Sequence, residues 1–302
     1  MNVNKNLLQK KFGKNLIINE SLSKYNWFNL GGSAELFFRP ENENQLKEFL
    51  DNIRKKNLKI SILGAGSNLL IRDGGIKGAV IKLGSKFSSI KLLDKKTIEV
   101  GASALDRKVS DYAKESGISG FEFLACIPGS IGGAIVMNSG CYGSDISNIL
   151  YSMKIMDFEG KLKIIKKDEI KFSYREINLP KNSIILSAVF EGAISSKEII
   201  EKKQTELINM KKKSQPSRIK TGGSTFKNQE NKKAWSLIKE AGCDKFFEGD
   251  AKISEKHSNF FINAGKASAS DIEKLIFKVR QEVKNKTGVN LELEIKIIGD
   301  EI

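Results

Sequence analysis

An apolar stretch from Leu58 to Leu63 runs directly into Gly64-Ala65-Gly66-Ser67-Asn68, and that junction limits what the chain can fold into. Before it, Ala34, Leu36 and Phe38 alternate as in a strand that Pro40 stops. Leu46, Phe49, Leu50 and Ile53 then recur at helical spacing. The order strand, helix, strand predicts a β-α-β unit. Its glycine pattern, however, has Leu69 where a third glycine would be needed, so the dinucleotide fingerprint of a Rossmann fold is not met.

The remainder alternates short strands with a few clear helices. One helix is predicted over Leu105 to Ser116, ended by Gly117, and a β-hairpin over 152–166 turning at Glu159-Gly160. Ser195-x-x-Glu198 reads as a capping box that opens a helix reaching about Lys213, a candidate domain connector. A helix over Ala234 to Glu240 stops at Gly242, and another is capped by Ser270-x-x-Glu273, with Ile272, Leu275, Ile276 and Val279 on its apolar face. In the last segment Leu291, Leu293, Ile295 and Ile297 alternate with Glu292, Glu294 and Lys296, which predicts a strand with one core face and two carboxylates on the other. At 302 residues the chain suggests two or three domains.

Composition removes several functions. No 18-residue apolar run appears, so no membrane span is expected. Cys126, Cys141 and Cys243 are an odd number without CxxC spacing, which argues against a disulfide framework and a zinc site and fits a reducing cytoplasm. With His257 the only histidine, no metal centre is expected, and this residue reads as structural or substrate-contacting rather than as a base. The net charge of +15 raises nucleic-acid binding, but the lysines are spread along the whole chain, so no nucleic-acid partner is expected. A positive field also draws phosphate-bearing small molecules.

Phosphate chemistry is where the motifs point. Gly64–Asn68 and Ile127-Pro128-Gly129-Ser130-Ile131-Gly132-Gly133 both place backbone N–H groups where an anion could bind, although ordinary turns use the same residues. The segment from Ser214 to Asn228 sets Ser224 after Gly222-Gly223 with Lys220, Lys227 and Asn228 around it, a pattern equally open to a substrate site and a polar loop. Arg175 after Tyr174 could be a surface ion-pair partner or a functional cation. Residue chemistry alone cannot choose between Glu292 and Glu294.

Taken in order, the two glycine loops, Asn138-Ser139-Gly140, Tyr174-Arg175, Gly222-Gly223-Ser224, His257-Ser258-Asn259-Phe260 and Glu294-Ile295-Lys296-Ile297-Ile298-Gly299 resemble the UDP-N-acetylenolpyruvoylglucosamine reductases, from about Asn29 to Gly299. The resemblance implies an α+β flavoprotein with an FAD-binding fold of the p-cresol methylhydroxylase type plus a C-terminal substrate-binding α+β domain. It implies residues 1–83 with 294–302 as one FAD-binding subdomain, 84–196 as a second and 197–293 as the substrate domain. The activity implied is NADPH-dependent reduction of UDP-N-acetylglucosamine enolpyruvate to UDP-N-acetylmuramate through non-covalent FAD, for peptidoglycan synthesis, by a cytoplasmic monomer.

Residue by residue, the resemblance gives Gly64, Ala65, Gly66, Ser67, Asn68, Pro128, Gly129, Ser130, Gly132, Gly133 and Asn138 to the cofactor. It gives Arg175 to the substrate carboxylate and developing enolate, Ser224 to proton donation and Glu294 to the reacting centre. Lys212, Asn228 and His257 fall to substrate binding. Two departures stand out: Ile177 where the family more often has Ser, and Gln229 where it usually has Pro after the Asn. No segment is long enough for the tyrosine-bearing loop of the longer subclass, so the chain resembles the shorter one. The rival is another FAD-dependent oxidase or dehydrogenase of the same flavin fold, in which Cys126 or Cys141 would have to tether the flavin.

Overall fold

The computed structural model describes residues 4–54, 58–229 and 232–302. The chain divides into two compact units, the first of residues 1–18, 36–65 and 78–211, the second of 19–35, 66–77 and 212–302. The fold is α+β.

In the first unit, the strands Leu162–Lys166, Leu150–Asp157, Ser183–Glu191, Thr97–Gly101 and Ile90–Leu92 form an antiparallel sheet in that order. The predicted hairpin is its edge, turning where Gly160 takes a φ of +77°. The helix Asp106–Glu115 buries Val109 and Ala113 and ends before Gly117 at φ +68°, as its apolar spacing and glycine stop predict. Ile98, Val100, Phe121, Phe123, Ile131, Ile135 and Phe190 fill the core on this sheet. A second core gathers Phe12, Phe38 and Phe49, with Phe38 and Phe49 stacked at 3.9 Å. The helix Glu43–Arg54 and the parallel pairing of Ile60–Ile62 with Ile76–Ile81 agree with the predicted β-α-β unit.

In the second unit, Lys220–Ser224, His257–Asn263, Ala251–Ser254 and Phe247–Glu248 form an antiparallel sheet in that order. The helices Ala234–Glu240 and Ala269–Thr287 pack on it around Phe226, Leu237, Phe261, Leu275 and Val279.

Three predicted element ends are corrected. The helix Lys197–Ser214 is capped by Ser196, whose Oγ accepts from the Ile199 N–H at 3.4 Å, because the Ser195 N–H is committed to the Gly117 carbonyl at 2.9 Å. The helix Ala269–Thr287 is capped by a reciprocal Ser268–Asp271 box rather than by Ser270 and Glu273. Both serines fit the pattern S-x-x-acid; Asp73 decides by accepting the N–H groups of Ala269 and Ser270 at 3.0 Å each, while Glu273 forks onto Arg72. The final strand is regular only over Lys296–Ile298, paired in parallel with Leu69–Ile71. Ahead of it the N–H groups of Glu294 and Ile295 converge on one carbonyl, that of Thr225, at 2.9 and 3.4 Å, which interrupts a ladder.

Candidate active site

Arg175 and the second glycine loop lie in the first unit, Ser224 and Glu294 in the second. Each set has its own construction.

In the first unit, Phe172–Ser173 and Glu176–Ile177 pair as a minimal hairpin whose loop is Tyr174-Arg175. Arg175 takes a φ of +63°, a left-handed conformation that glycine or asparagine ordinarily fills. Such strain persists only where the surroundings impose it, and it clusters at functional positions. The guanidinium lies 4.8 Å from the Tyr174 ring centroid. Asn138, only 4% exposed, anchors the hairpin: its Nδ2 donates to the Ser173 carbonyl at 3.2 Å, and its Oδ1 accepts from the Ser147 N–H at 3.1 Å. An amide expected at the cofactor thus also places the arginine turn. Ile177 is buried in the core, so the hydrogen-bonding group expected of a serine there is replaced by packing.

The glycine loops have several structural demands to meet. A Cβ on Gly64 would come 2.9 Å from Ser130 Oγ, which brings the two predicted loops together at that point. The Gly132 N–H donates to the Ala102 carbonyl at 2.8 Å and that of Ile131 to Ala104 at 2.9 Å, so neither is free for a phosphate. Gly133 differs: it is exposed, and a Cβ there would meet only Ser130 Oγ, at 3.8 Å. This open backbone, on the turn Ile131–Val136, fits close approach by a cofactor. Lys82, which the sequence did not single out, donates to the Gly64 carbonyl; burial, aided by Arg39, lowers its ammonium to about 8.

In the second unit, the strand Lys220–Ser224 shifts register between Thr221 and Ser224, so that Ser224 pairs with Phe260. Gly222 is demanded by packing, since a Cβ would lie 2.5 Å from the Phe28 ring, whereas Gly223 has a φ of +81° and nothing within 4 Å. Ser224 itself is half-buried. Behind it, Asn259 clamps Phe226, accepting from its N–H at 2.9 Å and donating to its carbonyl at 2.8 Å. That clamp, which the sequence quotes but does not explain, fixes the strand carrying Ser224.

The two carboxylates separate. Glu292 is exposed, its side chain at 69%, and pairs with Lys227 at 3.5 Å. Glu294 is half-buried, with its N–H on Thr225 and its carbonyl held by Asn68 Nδ2 at 3.0 Å. Asn68, expected at the cofactor, is therefore also a positioning residue for Glu294.

Among the expected substrate contacts, Asn228 is exposed and its Oδ1 accepts from the Ala234 N–H at 3.1 Å, capping the helix Ala234–Glu240. Gln229, in place of proline, donates its N–H to the Lys232 carbonyl at 3.0 Å, a bond proline could not make. Lys212 is exposed. His257 is half-buried between Phe260 at 4.9 Å and Trp235 at 6.4 Å, and burial pushes its pKa down, which favours the neutral imidazole. Trp235, 41% exposed and with Lys239 5.8 Å from its ring, adds an aromatic surface that the sequence analysis left out.

Comparison with known proteins settles the family. Residues 215–298 match the C-terminal domain of UDP-N-acetylenolpyruvoylglucosamine reductase, and residues 34–166 match an FAD binding domain. The UDP-N-acetylenolpyruvoylglucosamine reductase of Pelagibacter ubique is 48% identical over 280 residues, 92% of each chain. The chain belongs to the UDP-N-acetylenolpyruvoylglucosamine reductase family. The reductase of Rickettsia conorii is 47% identical over 92% of this chain. The crystal structure of the Thermus caldophilus reductase superposes with a TM-score of 0.82 at 31% identity, covering 94% of this chain and 98% of that one. The reductase family thus accounts for both the α+β fold and the FAD-binding segment. Among the described residues no helix is long and apolar enough to cross a membrane, and no cluster of three metal-ligating side chains occurs.

Proposed function

We propose that the chain reduces UDP-N-acetylglucosamine enolpyruvate to UDP-N-acetylmuramate, with NADPH as the reductant and non-covalent FAD as the carrier, in peptidoglycan precursor synthesis. Family membership along nearly the whole chain carries this reading. FAD, when bound, supplies hydride transfer. In this reading Gly64–Asn68 and Pro128–Gly133 hold the cofactor. The Arg175 guanidinium binds the substrate carboxylate and meets the charge that develops on it. Ser224 delivers a proton to the carbon next to the one reduced. Glu294 stands at the reacting centre in protonated or hydrogen-bonded form, since a bare carboxylate would repel an enolate. Asn228, His257 and a lysine of the 211–213 run, Lys212 in the first instance, hold the nucleotide part.

Three cores, two in the first unit and one in the second, support a three-part organisation with two FAD-binding subdomains and a substrate domain. A monomer acting in the cytoplasm without nucleic acid completes the proposal, supported by the even spread of lysines along the sequence.

The test is direct. Purified protein should be yellow, should release its flavin on acid precipitation, and should oxidise NADPH beyond one equivalent per flavin in anaerobic solution only when the enolpyruvyl substrate is present. Flavin that stays with the precipitated protein would favour a covalently tethered oxidase instead.

Two variants test the parts. Gly133→Val puts a branched side chain into open space where a helical turn tolerates it. Its flavin affinity should fall by roughly tenfold or more, about 1.4 kcal/mol, with the thermal transition of the apoprotein unchanged. Glu294→Gln should slow flavin reoxidation by substrate severely in rapid mixing, whereas Glu292→Gln, which removes only an exposed ion pair, should be nearly neutral. The reverse ranking would assign the wrong carboxylate.

A further inference from the structure

Two of the three cysteines meet at the ends of the segment that contains the second glycine loop and Asn138. Cys126 closes the tight turn Glu122–Cys126 and directly precedes Ile127-Pro128-Gly129. Cys141 lies in the short strand Gly140–Cys141, which packs against that same turn. The Cys141 thiol donates to the Phe123 carbonyl, inside the turn, at 3.4 Å. Cys126 stands three residues after Phe123 in that tight turn, so both cysteines border the same stretch of backbone. Lys211 Nζ donates to the Cys126 carbonyl at 2.6 Å, which puts a cation beside the pair.

We propose that Cys126 and Cys141 are an oxidisable thiol pair that closes to an intramolecular disulfide when the protein meets a hydroperoxide.

The two sulfurs are not equivalent. Interaction with Cys141, opposed by burial and helped by Lys211 and Arg107, lowers the Cys126 thiol from its usual range and favours the thiolate there. The same interaction and burial push the Cys141 thiol up. Cys126 is therefore the attacking sulfur and Cys141 the resolving one. Cys126 is 5% exposed and Cys141 partly exposed, which admits a small peroxide and disfavours bulky reagents. Cys243 provides an internal contrast, fully buried in the other unit with its thiol pushed up to about 11 by burial.

The chemistry balances without a metal or the flavin. The Cys126 thiolate attacks one peroxide oxygen, the O–O bond breaks, and the departing oxygen takes a proton, leaving a sulfenic acid. Cys141 then attacks the sulfenic sulfur; the S–S bond forms and water leaves with the thiol proton. The peroxide is reduced by two electrons and the two thiols are oxidised. A dithiol reverses the step. Because an S–S bond is about 2.0 Å long, closure draws the strand Gly140–Cys141 in against the turn it already packs on. The bridge would enclose Pro128, Gly129, Ser130, Gly132, Gly133 and Asn138 in a covalent loop, whatever the enzyme's substrate.

The test is mass spectrometry of the full-length flavin-loaded protein after equimolar hydrogen peroxide and alkylation of the remaining thiols. The expected product loses two hydrogens, links the peptides containing Cys126 and Cys141, leaves Cys243 free, and reverts with dithiothreitol. Cys243→Ser should behave as wild type. Cys141→Ser should form no bridge and instead accumulate a sulfenic acid at Cys126, trapped by dimedone present as the protein is unfolded, which tests the pair even if Cys126→Ser does not fold. Lys211→Met should slow closure at neutral pH on the order of tenfold, by raising the Cys126 thiol. Oxidation of Cys126 or Cys141 to sulfinic acid without any bridge, or preferential reaction of Cys243, would overturn the proposal.

Discussion

Replacing Ser224 with alanine is expected to leave reduction of the bound flavin by NADPH at the wild-type rate while turnover falls by roughly 10²–10⁴, the usual worth of a general acid. The expectation rests on how the residue is placed. A register shift after Thr221 re-aims the strand, Gly223 takes a conformation few other residues adopt, and the Asn259 clamp on Phe226 holds the chain on the far side. A hydroxyl so fixed loses little entropy on meeting a substrate carbon, which is the condition under which a weak acid can protonate a strong carbon base. Ser224→Cys should recover part of the loss, since a thiol also donates. In stopped-flow absorbance, NADPH should bleach the alanine variant normally and the enolpyruvyl substrate should restore the colour slowly. Restoration at the wild-type rate would reduce Ser224 to a binding residue.

Local signals in the sequence suffice where one residue pattern admits one structure. Leu46, Phe49, Leu50 and Ile53 share a face, and all four are buried in the helix Glu43–Arg54. Gly117, Gly160 and Gly242 all stand at φ near +70°, where elements end. The caps were missed by one or two residues because each serine pair offers two registers locally, and the choice is made by groups distant in sequence: Gly117 for one helix, Asp73 for the other. Nothing local announces that Asn68 holds the Glu294 carbonyl or that Asn138 holds the Arg175 hairpin. The choice between Glu292 and Glu294 was likewise closed to periodicity, because alternation places both on one face. What separates them is their partners from another segment of the second unit, Lys227 for the Glu292 carboxylate and the Thr225 carbonyl for the Glu294 N–H.

Arg175→Lys is expected to slow flavin oxidation by the enolpyruvyl substrate by on the order of 10² or more, with flavin reduction by NADPH nearly unchanged. Lysine keeps the charge but offers a point cation in place of a planar fork, so a carboxylate bound through two parallel hydrogen bonds would lose its geometry while the long-range field survives. The backbone makes this substitution a clean comparison. At φ +63°, lysine meets the same left-handed penalty as arginine, so stability should differ little between the two. Glycine at this position relieves that strain at an entropic cost of similar size, so Arg175→Gly should unfold close to the wild-type temperature while losing the oxidative half-reaction more completely than Arg175→Lys. If instead the glycine variant were strongly destabilised, the Tyr174 contact at 4.8 Å would be holding the hairpin together and the arginine would be structural. If the lysine variant slowed both half-reactions equally, Arg175 would act on the cofactor rather than on the substrate carboxylate. Strain at the position proposed for the substrate carboxylate predicts that activity and stability part company here, with both variants close to wild-type stability and both impaired in the oxidative half-reaction.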